Sequence, residues 1–231
     1  MHKSGKQWGT LALLGLFIFY GLCAQTASAA RRDSSAVKRI LVLGDSLSEG
    51  FLLKPSEAWP MLIVDKLRSA GLTNFEVTNA SQSGGTSQGG LVRLPAHLKK
   101  KVDIFVLELG INDAFRGLPI QQIEQNLQKI IDQVRATSPG VQIIIAGLQL
   151  PGHDEDDYIH DFGGMYVDLA AKNHAALVPY LLKDVAGNPV LNLGDGIHPN
   201  AAGHKILAQT VWGILEPIAR DVAQSPTAVA R

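Results

Sequence analysis

Thiol chemistry is almost missing from this chain. Its single cysteine, Cys23, lies in an N-terminal segment that reads as a removable leader, so the rest has no intramolecular disulfide, thiol nucleophile or cysteine metal site. Net charge is missing as well: 21 Lys and Arg face 21 Asp and Glu. There is no basic excess for nucleic acid and no acidic block that would make a solvated tail. The apolar run Leu11 to Cys23 falls short of the roughly 20 residues that a membrane-spanning helix needs. Internal repeats and a domain-splitting linker are also absent. What remains is 231 residues at 46% hydrophobic and 18% charged, enough for one globular domain with a sizeable core.

Residues 1–30 differ from the rest. Lys3 and Lys6 give a positive start, an apolar stretch follows, and Ala27-Ser28-Ala29 has the small-x-small form of a signal-peptidase site. The expectation is a signal peptide cleaved near Ala29 or Ala30, with an uncleaved anchor as the alternative. Leu22 before Cys23 argues against lipoprotein processing. Cleavage leaves a mildly acidic periplasmic or secreted bacterial protein with no stable membrane insertion, held together by its core alone.

From residue 37 to 222 apolar runs alternate with helix-like stretches, with residues 223–231 as a flexible tail. Strands are expected at Arg39–Leu43, Phe75–Asn79, Asp103–Leu109, Val141–Gly147 and Ala176–Pro179. Helices are expected at Glu57–Ala70, Gly89–Lys100 with a break near Pro95, Pro119–Thr137, Met165–His174 and Pro199–Val222. Pro151 to Gly164, acidic and with three glycines, reads as a long surface loop. Repeated strand–helix units imply α/β architecture: one parallel sheet covered by helices on both faces, a three-layer α/β/α sandwich. Right-handed crossovers bring the carboxyl ends of all strands to one rim, where open α/β sheets bind ligands. That rim collects Ser46, Ser83-Gly84, Asn112-Asp113 and the segment with Asp195 and His198.

A serine hydroxyl needs a base. Of seven histidines, His97, His174 and His204 sit in helix-like polar settings and read as surface or packing residues. Asp-x-x-His occurs twice, at Asp157–His160 and Asp195–His198. The second is preferred, because Gly194 and Gly196 let the chain bend and Pro199 opens a helix behind it. There Asp195 would hold one ring nitrogen of His198 and leave the other for Ser46. Acyl transfer also needs oxyanion donors. Ser46 N–H, Gly84 N–H and the Asn112 amide are the candidates. Gly44-x-Ser46-x-Ser48 is not the Gly-x-Ser-x-Gly elbow of α/β-hydrolases, and no Lys-Ser/Thr follows the glycines after Ser83 to make a phosphate loop. His153, Asp154, Glu155, Asp156, Asp157 and His160 read as a solvated charged loop rather than a metal site.

Four ordered blocks carry a resemblance: Gly44-Asp45-Ser46-Leu47-Ser48, Ser83-Gly84, Gly110-Ile111-Asn112-Asp113 and Asp195-Gly196-Ile197-His198-Pro199-Asn200. With them the chain resembles the SGNH, or GDSL, hydrolase family over residues 40 to 216, in its bacterial arylesterase, acyl-CoA thioesterase and lysophospholipase branch. The resemblance implies a flavodoxin-like sheet of five parallel strands, Ser46 as nucleophile, His198 as base and Asp195 as its partner. It also implies Ser46, Gly84 and Asn112 as the oxyanion hole, and no metal or cofactor. Gly85 departs from the family, whose close members often carry Asp there. The expected partner is a small-molecule ester or lipid, with short to medium acyl chains and with thioesters and lysophospholipids as further classes. Leu47, Phe51, Leu52, Leu148, Leu150 and Phe162 are candidates to line an acyl groove. Two rival readings are a carbohydrate deacetylase, disfavoured by only 6% aromatic residues, and a non-catalytic binding protein, which would need a broken site.

Overall fold

The computed structural model describes residue 2 and residues 36–152 and 156–225. The leader, its cleavage point, His153 and most of the C-terminal tail lie outside them. Val37–Ala223 forms one compact unit. Among the described residues no helix is long and apolar enough to cross a membrane.

Five strands make one parallel sheet: β1 (Lys38–Leu43), β2 (Phe75–Asn79), β3 (Ile104–Leu107), β4 (Gln142–Ala146) and β5 (Ala176–Val178), in the order β2-β1-β3-β4-β5. Every residue of β3 is buried, which requires cover on both faces. The edge strand β2 is only half-buried and alternates accordingly. The order reverses between β1 and β3, so the loops after these two strands part and leave a crevice. Ser46 follows β1 and Asn112 follows β3, placing both at that switch point.

Among the described residues seven α-helices accompany the sheet: α1 (Ser46–Glu49), α2 (Trp59–Ser69), α3 (Ser87–Arg93), α4 (Ile111–Phe115), α5 (Ile120–Thr137), α6 (Asp157–Lys172) and α7 (Ala201–Gln224). In α5 the side chains of Ile120, Ile123, Leu127, Ile130, Ile131 and Val134 are buried, as their 3.6-residue spacing demands. Each such side chain contributes about 1.5–3 kcal/mol of burial.

The stretch Pro151–Gly164 departs from expectation. Its second half is the start of α6, where the Asp156 carboxylate accepts from Tyr158 N–H at 2.9 Å and caps the helix. Phe162, Met165, Tyr166 and Leu169 form the buried face, and Gly163 and Gly164 are carried within the helix. Burial of that face outweighs the roughly 1 kcal/mol that each helical glycine costs. His160 is therefore an exposed helical residue, and Asp157–His160 makes no catalytic frame.

Candidate active site

The nucleophile candidate is set by a very short helix. At the end of β1 the chain turns through Gly44, and Asp45 caps α1 by accepting from Leu47 N–H at 2.9 Å. Ser46 opens this helix, where its N–H has no intrahelical acceptor. Ser46 is 8% exposed, beyond the carboxyl end of β1.

The candidate base arrives from far along the sequence. Asn192 and Pro199 form an isolated antiparallel bridge, and Leu193 N–H donates to His198 C=O at 2.7 Å. Gly196 takes φ +71° to close the turn, a conformation that favours glycine. One Asp195 oxygen accepts from Ile197 N–H at 2.9 Å and His198 N–H at 3.0 Å; the other sits 2.7 Å from His198 Nδ1. Asn200 then caps α7 by accepting from Ala202 and Gly203 N–H, so the helix opens on Asn200 rather than Pro199. His198 Nε2 lies 3.0 Å from Ser46 Oγ across 152 residues of sequence. With Nδ1–H donating to the Asp195 carboxylate, Nε2 is left as an acceptor facing the Ser46 hydroxyl. The hydrogen bond from His198, joined by the two backbone N–H groups, pulls the Asp195 carboxyl down to about 2. The Phe51 ring packs against the imidazole with centroids 4.4 Å apart.

The oxyanion candidates are less uniform. Gly84 is exposed at φ +70°, and its N–H is uncommitted among the described residues. The Asn112 amide donates both hydrogens, to Asp45 Oδ2 at 3.0 Å and to Gly85 C=O at 3.1 Å. It stands beside the residue before the nucleophile, and donating to an oxyanion requires one of these bonds to be exchanged.

Beneath Ser46 lies a polar floor that sequence reasoning did not identify. Glu108 is fully buried; one carboxyl oxygen accepts from Asp45 N–H at 3.1 Å and Ser48 Oγ–H at 2.7 Å. Trp59 Nε1–H donates to the same Ser48 hydroxyl at 3.2 Å, and Trp59 N–H donates to Nδ1 of the buried His204 at 3.1 Å. A Cβ on residue 44 would stand 2.4 Å from that Glu108 oxygen, which explains why glycine occurs there. Arg93 donates to Gly44 C=O at 2.6 Å and Ala80 C=O at 3.3 Å, tying the ends of β1 and β2. Burial pushes Asp45 up to about 6, against bonds from Leu47 and Asn112 and the charges of His198 and Arg93. Burial, with Asp45 nearby, drives Glu108 well above the carboxylate range. Burial lowers His204 to about 4, and the charge of His198 adds to this. The available signal for the floor was an acid, Glu108, inside an otherwise apolar strand run.

The acyl-groove candidates separate. Phe162 (0% exposed), Leu148 (1%) and Leu47 (3%) belong to the hydrophobic core, where their contacts are with other core side chains. Leu150 is half-buried against that core, while Leu52 is 78% exposed.

The chain is similar to known hydrolases. A family model described as GDSL-like lipase/acylhydrolase matches residues 42–206. Esterase TesA of Pseudomonas aeruginosa is 40% identical over 187 residues, covering 80% of this chain and 92% of that protein. The thioesterase 1/protease 1/lysophospholipase L1 of Escherichia coli K12 is 38% identical over 186 residues, covering 80% and 86%. A crystal structure of TesA superposes with a TM-score of 0.73 at 40% identity, covering 78% of this chain and 99% of the other.

Proposed function

This chain belongs to the GDSL-like lipase/acylhydrolase family and is a carboxylic ester hydrolase, and from that premise we propose that Ser46, His198 and Asp195 are its catalytic residues. The observation that carries the assignment is the continuous relay from Asp195 through His198 to Ser46, at 2.7 and 3.0 Å. Ser46 Oγ attacks the ester carbonyl carbon as its proton passes to His198 Nε2. The carbonyl oxygen becomes an oxyanion, held by Ser46 N–H, Gly84 N–H and an Asn112 amide hydrogen released from one of its resting partners. The imidazolium, stabilised by Asp195, returns the proton to the leaving alkoxide, and an alcohol departs from the acyl-enzyme. Water then attacks with the same base and frees the acid.

The substrates proposed are short- to medium-chain carboxylic esters, aryl esters among them, with thioesters and lysophospholipids as the wider range. Among the apolar residues considered for the acyl chain, Phe51 on the His198 ring, half-buried Leu150 and exposed Leu52 are free to contribute, because Leu47, Leu148 and Phe162 are enclosed in the core. Export after removal of residues 1–30 completes the reading. Intact-mass measurement of periplasmic protein would place a new N-terminus near residue 30; an uncut chain in that fraction would refute cleavage.

A fluorophosphonate probe followed by peptide mass spectrometry tests the nucleophile. The adduct is expected on Ser46, and Ser46→Ala should lose both labelling and turnover of an aryl ester. Full turnover by that variant would end the serine mechanism.

A further inference from the structure

An oxyanion hole gains most from donors that are fixed before the charge develops. Ser46 N–H is fixed by α1. Gly84 N–H lies in no helix or strand: Gly84 is the exposed residue of a turn closed by Gly85 N–H donating to Gln82 C=O at 2.9 Å, with glycine at both 84 and 85. Three side chains grip this segment at successive residues. Glu49 accepts from Ser83 N–H at 2.7 Å and from the Ser83 hydroxyl through the same carboxylate oxygen. Arg116 donates to Gly84 C=O at 3.3 Å, and Asn112 to Gly85 C=O at 3.1 Å. The contact from Glu49 is charge-assisted and bidentate in its donors, which makes it the strongest of the three.

Glu49 is also the last residue of α1, one turn after Ser46. The short helix that presents one donor therefore reaches across to hold the peptide just before the other. We propose that Glu49 is a positioning residue, which locks the Gly84 peptide at a set distance from Ser46 N–H so that both converge on one oxyanion. This rests on the assignment of Ser46 and Gly84 made above. Glu49 touches neither substrate nor the reacting atoms; it acts through Ser83.

The test compares wild type, Glu49→Ala and Glu49→Gln in hydrolysis of p-nitrophenyl butyrate and in inhibition by butylboronic acid, which forms a tetrahedral adduct on serine. Glu49 is exposed, so both variants should melt within about 2 °C of wild type. Glu49→Ala should lower kcat by about 10-fold, less than the ~10²–10³ for outright loss of a donor, with KM within twofold. Boronate affinity should weaken by the same factor as kcat. Glu49→Gln, which keeps an acceptor oxygen for Ser83, should stay within about threefold of wild type. The proposal falls if Glu49→Ala retains kcat within twofold, if KM rises while kcat holds, or if kcat drops with boronate affinity unchanged. Wild-type labelling at Ser46 by the fluorophosphonate separates these outcomes from failure of the serine mechanism, since an unlabelled Ser46 overturns both.

Discussion

Asp45 and Asp195 are each one step from Ser46, the first through the backbone and the second through His198. Asp195 has 36% of its side chain exposed and is held ionised by three donors in its own turn. Asp45 is fully enclosed, accepts from Leu47 and Asn112, and rests by its N–H on a second buried acid, Glu108. Their carboxyl groups move in opposite directions, down to about 2 at the rim and up to about 6 in the floor. A rim acid can be devoted to chemistry with little consequence for folding, because water remains available to it. A floor acid is bound up with stability whatever else it does, because its charge has been taken out of water.

Exchanging the rim acid gives the sharpest break. Asp195→Asn should reduce kcat by about 10⁴, through loss of the correct imidazole tautomer, while its melting temperature stays within about 2 °C of wild type. A large fall in melting temperature would erase the distinction between rim and floor. Next in size, Asn112→Ala should cost on the order of 10²–10³ in kcat if its amide leaves Asp45 or Gly85 to meet the oxyanion. A loss below threefold in the same ester assay would leave Asn112 as a brace for Asp45 alone.

The floor is best probed by urea unfolding as a function of pH. Asp45, raised in the fold, contributes stability that is fully present below its ordinary value of 3.8 and is lost as pH rises through about 6. His204, lowered in the fold, contributes stability present above 6.5 and lost as pH falls through about 4. The two act in the same window with opposite slopes, and Glu108, also raised by burial, adds a loss of the same sign as Asp45. Asp45→Asn should remove the loss due to Asp45, so that the change in stability from pH 4 to 6.5 is more favourable than in wild type by up to about 3 kcal/mol. His204→Gln should tilt the curve the other way by a similar amount. The smallest effect on slope belongs to Asp195→Asn, whose curve should run parallel to wild type above pH 4, because the contribution it removes is constant there and is lost only as pH falls from 3.8 through about 2.

The same contrast explains what could be read from sequence. The rim was legible because its parts are local: Asp195 and His198 share one turn, and Ser46 follows an uninterrupted apolar strand run. The sheet was legible for a similar reason, with β2 falling on its expected span and α5 announced by its periodic apolar face. The floor is assembled from β1, α1, α2, β3 and α7, and no local pattern joins Glu108 to Ser48 or Trp59 to His204. His204 read as a polar helix residue, yet only tertiary packing makes it a buried acceptor for Trp59 N–H. In α6 the acidic, glycine-bearing composition outweighed the spacing of Phe162, Tyr166 and Leu169, although Asp156 was a capping signal in view.

The long span of sequence between the serine and its imidazole bears on biosynthesis. A nascent polypeptide that has emerged only as far as β5 carries the Ser46 hydroxyl, both glycines and Asn112, but not His198, the base proposed for that hydroxyl. On the proposed assignment, hydrolysis requires the final helix and the turn before it to dock, so activity would report completion of the fold.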